Sequence, residues 1–72
     1  MKIKYFNHNP ESKGSKSYTI LNEQDEQIGS VEGYINKYGE LTSVIRINPE
    51  YQQQGLGFQS FLKVFNELNE EV

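Results

Sequence analysis

At 72 residues and a formal net charge of −3, the chain is a single small domain and offers no basic face for general nucleic-acid binding. It contains no cysteine, which excludes a disulfide framework and a thiolate zinc site and fits a reducing compartment. No apolar run approaches the roughly 18–20 residues of a membrane span, and the opening MKIKYFNHNP lacks the apolar core of a signal peptide, so the expectation is a cytoplasmic chain without membrane contact.

In chain order, KIKYF (2–6) alternates Lys2, Lys4 and Phe6 with Ile3 and Tyr5, the period-two pattern of a half-buried strand. The polar HNPESKGSKS (8–17) carries proline and glycine and reads as a loop. YTIL (18–21) and QIGSVEGYI (27–35) flank the acidic turn NEQDE and form a predicted hairpin. A second turn, NKYGE around Gly39, leads into LTSVIRI (41–47), the most strand-like segment. After Pro49 the period changes. Phe58, Phe61, Leu62, Phe65, Leu68 and Val72 recur at spacings of three and four, predicting a helix over about 55–70 whose aromatic face packs on the sheet as core. The expected fold is α+β: one domain over 1–72, an antiparallel four-stranded meander followed by one amphipathic helix.

Charge is uneven along this frame. Lys2, Lys4, Lys13 and Lys16 make the start basic, whereas Glu67, Glu70 and Glu71 crowd the end of the helix and oppose its dipole by a few tenths of a kcal/mol each. A core of this size rarely supplies more than roughly 3–5 kcal/mol, so help from a partner, a ligand or missing sequence is expected.

The chemistry concentrates at the helix entry. Gly55 and Gly57 stand where the first turn begins, and glycines there let a ligand approach backbone N–H groups that have no partner inside the helix. Those groups and the positive end of the helix dipole suit an anion. A Walker loop requires Gly-Lys-Ser/Thr, which is absent. A dinucleotide fingerprint requires a third glycine where Ser60 stands, a strand ending immediately before the loop, and an acidic residue about 20 positions on. None of the three is met.

The remaining pattern, Gln52-x-x-Gly55-x-Gly57 within VIRINPEYQQQGLGFQSFL, resembles the acyl-coenzyme A signature of the GNAT acetyltransferase superfamily, Gln/Arg-x-x-Gly-x-Gly/Ala between the fourth strand and the main helix. Upstream, LNEQDEQIGSVEGYI looks like that family's preceding hairpin, with Ile28 and Gly29 opening its second strand. The resemblance covers about residues 18–68. It implies that the backbone N–H groups of Gln53, Gln54, Gly55, Leu56, Gly57 and Phe58 cradle the pyrophosphate of acetyl-CoA or another acyl-CoA. It further implies that the outer edge of Val44, Ile45, Arg46 and Ile47 pairs with the pantetheine arm. Gln52 replaces the arginine of many members, so the loop keeps its dipoles without a fixed charge.

Catalysis would require a base for the acceptor amine and an acid for the departing thiolate. Glu32, Glu40, Tyr34, Tyr38, Tyr51 and His8 are the groups to consider, and none carries an assigned role on sequence alone. The family's helices between the first two strands have only a loop as counterpart here, and its fifth strand has none after the helix. The strand 41–47 is therefore expected to pair with a second copy in a homodimer or with a missing C-terminal half. Three functions compete: an N-acetyltransferase or its acyl-CoA-binding half, a non-catalytic module of the same shape, and a small structural α+β domain without cofactor.

Overall fold

The computed structural model describes residues 2–71. Val72, the last member of the expected aromatic face, lies outside them. Strands β1 (Lys4–Asn7), β2 (Ser15–Leu21), β3 (Gln27–Ile35) and β4 (Leu41–Ile47) form one antiparallel sheet in sequence order, followed by a 3₁₀ turn (Pro49–Tyr51) and helix α1 (Leu56–Glu70). The arrangement is the expected α+β meander with a single helix on one face. β2 starts earlier than the apolar pattern suggests, because Ser15, Lys16 and Ser17 pair with Tyr34, Gly33 and Glu32 and so complete the ladder along β3. No helix among the described residues is long and apolar enough to cross a membrane.

One device closes both tight hairpins. In Asn22–Glu26 and again in Asn36–Glu40, the asparagine Oδ1 accepts the N–H groups two and four residues on. Its Nδ2 donates to the glutamate at the end of the turn. Left-handed residues, Asp25 in one turn and Gly39 in the other, complete the reversal.

The register aligns Tyr5, Ile20, Gly29 and Ile47 in one row across the sheet and Tyr18, Val31 and Ile45 in the next. Ile20 pairs with Gly29 and Leu21 with Gln27, which leaves Ile28 as the extra residue of a bulge. The bulge turns the Ile28 side chain into the core as well.

The helix presents a different face to this core from the one its aromatic residues suggest. Leu56, Ser60, Val64 and Leu68, spaced by four, form the buried seam. Of the expected face only Leu68 is buried. Phe58 is 69% exposed and Phe65 42%, Leu62 is exposed, and Phe61 is half-buried. The reason is the closeness of the approach. Gly33 lies under the helix, where even a Cβ would overlap the Val64 side chain. A gap that narrow accepts valine and serine and rejects phenylalanine. The serine does not go unpaired there, because Ser60 Oγ lies 3.0 Å from the Tyr5 hydroxyl.

Polar contacts hold the flank of α1 facing β1 and β2. The Tyr18 hydroxyl donates to Glu67, which also pairs with Lys63 at 2.8 Å. The Lys63 ammonium sits 5.0 Å from the Tyr5 ring centroid and 5.1 Å from that of Tyr18. One turn on, Glu71 pairs with Lys16 and accepts the Gly14 N–H at 2.7 Å. The acidic helix end thus tolerates its unfavourable dipole because two of its carboxylates grip the first hairpin.

Burial, then the hydrogen bond to Glu67, push the Tyr18 phenol well above its ordinary range. Burial raises the Glu67 carboxyl, but hydrogen bonds from Lys63 and Tyr18 outweigh it and hold the group below its usual value. Lys16 and the Gly14 N–H lower Glu71 similarly. Depressed carboxylates stabilise the fold above their unfolded pKa and lose that contribution as pH falls through the folded value. A raised phenol stabilises below its unfolded pKa and loses its contribution as pH climbs. Thermal melts should therefore show a plateau near neutrality that declines below about pH 4 and above about pH 10. Glu67→Gln should flatten the acid limb and Tyr18→Phe the alkaline one. Gly33→Ala should cost roughly 1–3 kcal/mol by urea denaturation, the usual penalty for overpacking.

Candidate functional site

Where β4 ends, Pro49 sets a single 3₁₀ turn in which Tyr51 N–H bonds to the Asn48 carbonyl at 2.9 Å. The loop then passes through two left-handed residues, Gln53 at φ 69° and Gly55 at φ 75°, the second serving as the N-cap of α1. No side chain caps the helix, and its first turn holds no acidic residue. Gln59 N–H makes the first backbone bond, to the Gly55 carbonyl. Among the described residues, the consecutive N–H groups of Gln53, Gln54, Gly55, Leu56, Gly57 and Phe58 donate no hydrogen bond.

These groups border an open cleft of about 410 Å³ lined by Ile45, Ile47, Tyr51, Gln52, Gln53, Gly55, Leu56 and Gly57. Seven of the expected binding residues thus come together there. Leu56 contributes little but backbone, since its side chain is buried in the core. Gln54 and Phe58 stand outside the lining, and the Phe58 ring faces solvent. Val44 and Arg46 alternate with the two isoleucines, so their side chains project from the face without the helix.

The backbone direction of β4 follows from its two ends. Asn48 N–H donates to the Ile28 carbonyl, and the Glu40 carbonyl accepts from Asn36 N–H, so the even-numbered residue flanking each end of β4 turns its backbone group to the β3 side. In an antiparallel ladder the alternation then directs the backbone groups of Thr42, Val44 and Arg46 to β3. Those of Leu41, Ser43, Ile45 and Ile47 point to the open edge. A ligand lying along β4 meets these four residues. One of their carbonyls is already occupied, as Gln52 Nε2 donates to Ile47 O at 3.1 Å. Gln52 therefore braces the loop against the strand end while forming part of the cleft wall.

Glycine at 57 is required by neither conformation nor packing. Its φ lies outside the left-handed region, and a Cβ would meet only Ile45 Cγ2 at 3.9 Å, an ordinary contact. Inside a helix such a residue is worse than alanine by roughly 0.5–1 kcal/mol. Gly55 is different, because the space around it is open but its positive φ disfavours any side chain.

The catalytic candidates do not converge. Glu32 and Tyr34 project on the face away from α1, Tyr38 is exposed in its turn, Glu40 is bound to Asn36, and His8 bonds Thr19 beside the Phe6 ring. Tyr51 alone among the described titratable side chains lines the cleft. Sequence reasoning left it out of the binding set, although its place directly after Asn-Pro-Glu signals a residue carried on the turn that ends β4. No lysine or arginine lines the cleft, so its attraction for an anion rests on backbone dipoles.

No family model, curated protein or solved structure matches the chain.

The loop conformation has direct consequences for stability. Gln53→Gly should leave stability unchanged or raise it by up to ~1 kcal/mol in chemical denaturation, by relieving a left-handed non-glycine residue. Gly55→Ala should lower it by roughly 1–2 kcal/mol.

Proposed function

We propose that this chain binds an acyl-coenzyme A in the manner of the GNAT superfamily. Backbone N–H groups from Gln53 to Phe58 would hold the diphosphate, and the outward backbone groups of Ile45 and Ser43 would pair with the pantetheine amides. The observation that carries the reading is the run of undonated N–H groups at an uncapped helix start, beside a cleft that continues onto an open strand edge. Gly57 supports it. A glycine that neither the backbone nor the core requires is accounted for by close approach of a ligand to the backbone. Without a fixed positive charge, affinity should fall below that of arginine-bearing members.

Acetyl transfer is a second reading, favoured by one feature. The Tyr51 phenol in the cleft is a group able to protonate a departing thiolate. No carboxylate or imidazole lines the same cleft among the described residues, so binding is better supported than transfer.

Isothermal titration should show acetyl-CoA binding to the wild type. Gly57→Glu adds bulk and negative charge to the cradle while placing an acid at a favourable helix start. It should weaken binding by at least ~100-fold, about 2.7 kcal/mol at 1.36 kcal/mol per tenfold, with the melting temperature retained. No heat and no thermal shift at millimolar cofactor would leave a structural α+β domain as the reading. Turnover with a panel of amines, lost in Tyr51→Phe, would establish transfer.

A further inference from the structure

The open edge of β4 and the aromatic flank of α1 lie on the same side of the molecule. Helix α1 runs antiparallel to β4, with Gly57 beside Ile45 and Phe65 beside Leu41. Glu67 and Glu71 face β2 and the first hairpin loop, so the opposite flank, carrying Phe58, Phe61 and Phe65, overhangs the β4 edge. Phe61 and Phe65 stack with ring centroids 5.9 Å apart. Beneath them, Leu41, Ser43, Ile45 and Ile47 present their backbone groups outward.

The geometry points to a second copy of this chain as the occupant of that edge, paired antiparallel about a two-fold axis at Val44. The register is self-complementary. Pairing Val44 with Val44 sets Ser43 against Ile45 and Leu41 against Ile47 of the second copy, and every residue stays on its own face of the joined sheet. The Ser43 and Ile45 pairs are then the hydrogen-bonded ones, which agrees with their outward backbone groups.

Charge agrees too. On the face without helices, Arg46 of each copy falls one diagonal step from Glu40 of the other, within reach of long side chains. Arg46 has no ion-pair partner among the described residues. On the helix face, α1 packs over both β3 and β4, so the two helices stand between two and three strand spacings apart, roughly 10–14 Å, at or beyond the 8–10 Å of bare helix contact. The axis directs Phe61 toward its mate and Phe58 toward Phe65 of the second copy, and these rings fill the difference. A specific pair requires roughly 600–1,000 Å² from each partner. That is about an eighth to a fifth of the 5051 Å² surface, a share within reach of the seven-residue edge and three phenylalanines.

This pairing does not rest on acyl-CoA binding. Both occupants use the same outward groups of β4, so one excludes the other, and the test uses cofactor-free protein.

Light scattering across about 1–100 µM should show the mass rising from that of the 8.4 kDa chain to twice that value. The chain has no native cysteine, which makes a cross-link diagnostic. Val44→Cys, at a position 44% exposed, brings two Cα atoms to about 4.5 Å at the axis, within disulfide range. In Thr42→Cys they lie roughly 14 Å apart, beyond that range. Air oxidation should link the first variant at least ~10 times faster than the second. Phe58→Glu, on an exposed side chain, should raise the dimer Kd at least ~10-fold with the circular dichroism unchanged. A monomer at ~100 µM, equal cross-linking rates, or a dimer indifferent to Phe58→Glu would overturn the pairing.

Discussion

The close approach of α1 to β3 at Gly33 is the constraint on which the remaining features depend. Because the gap holds no side chain from the strand, the helix settles with Val64 against the Gly33 backbone and with Ser60 and Leu68 on either side along the same seam. This rotation of the helix about its axis expels the phenylalanines from the core. The same placement brings the N-terminus of α1 beside Ile45 and Ile47, which is where the cleft forms.

The two flanks of the helix are unlike each other in chemistry. Toward β1 and β2 the contacts are polar and satisfied: Tyr5 with Ser60, Tyr18 and Lys63 with Glu67, and Lys16 and Gly14 with Glu71. Toward β4 they are apolar and open, with phenylalanine rings above a strand edge whose outward backbone groups have a single described partner, the Gln52 amide. Hydrogen bonds and ion pairs need specific geometry and lock one flank. The other leaves its apolar surface and its strand edge uncovered. Acyl-CoA and a second copy of the chain are the two occupants proposed for that side, and the undonated N–H groups at the helix start bear on the first alone.

Much of the fold was legible because its signals are local. β3 and β4 have the bounds that their apolar runs indicate, and the helix start lies within one residue of the position inferred from Gly55. The early start of β2 was hidden, since Ser15–Ser17 are polar and become strand only through pairing with β3. The loop of the candidate site could be read from glycine spacing. The turning of Gln52 to Ile47 and the parity of β4 could not, because both depend on which backbone groups the neighbouring strand consumes. Tyr51 was visible as an aromatic on a proline turn, but its place in the cleft required the helix to be docked.

The sequence by itself determined the order of the elements, the class of the fold and the exposed N–H groups at the entry of α1. Period, turn chemistry and helix-end geometry act over a few residues. Only the tertiary structure decided which apolar stripe of the helix enters the core. Both stripes have helical spacing, and hydrophobicity alone favours the larger side chains. The depth of the gap above Gly33 reversed that preference, leaving Val64 inside and Phe58 and Phe65 outside.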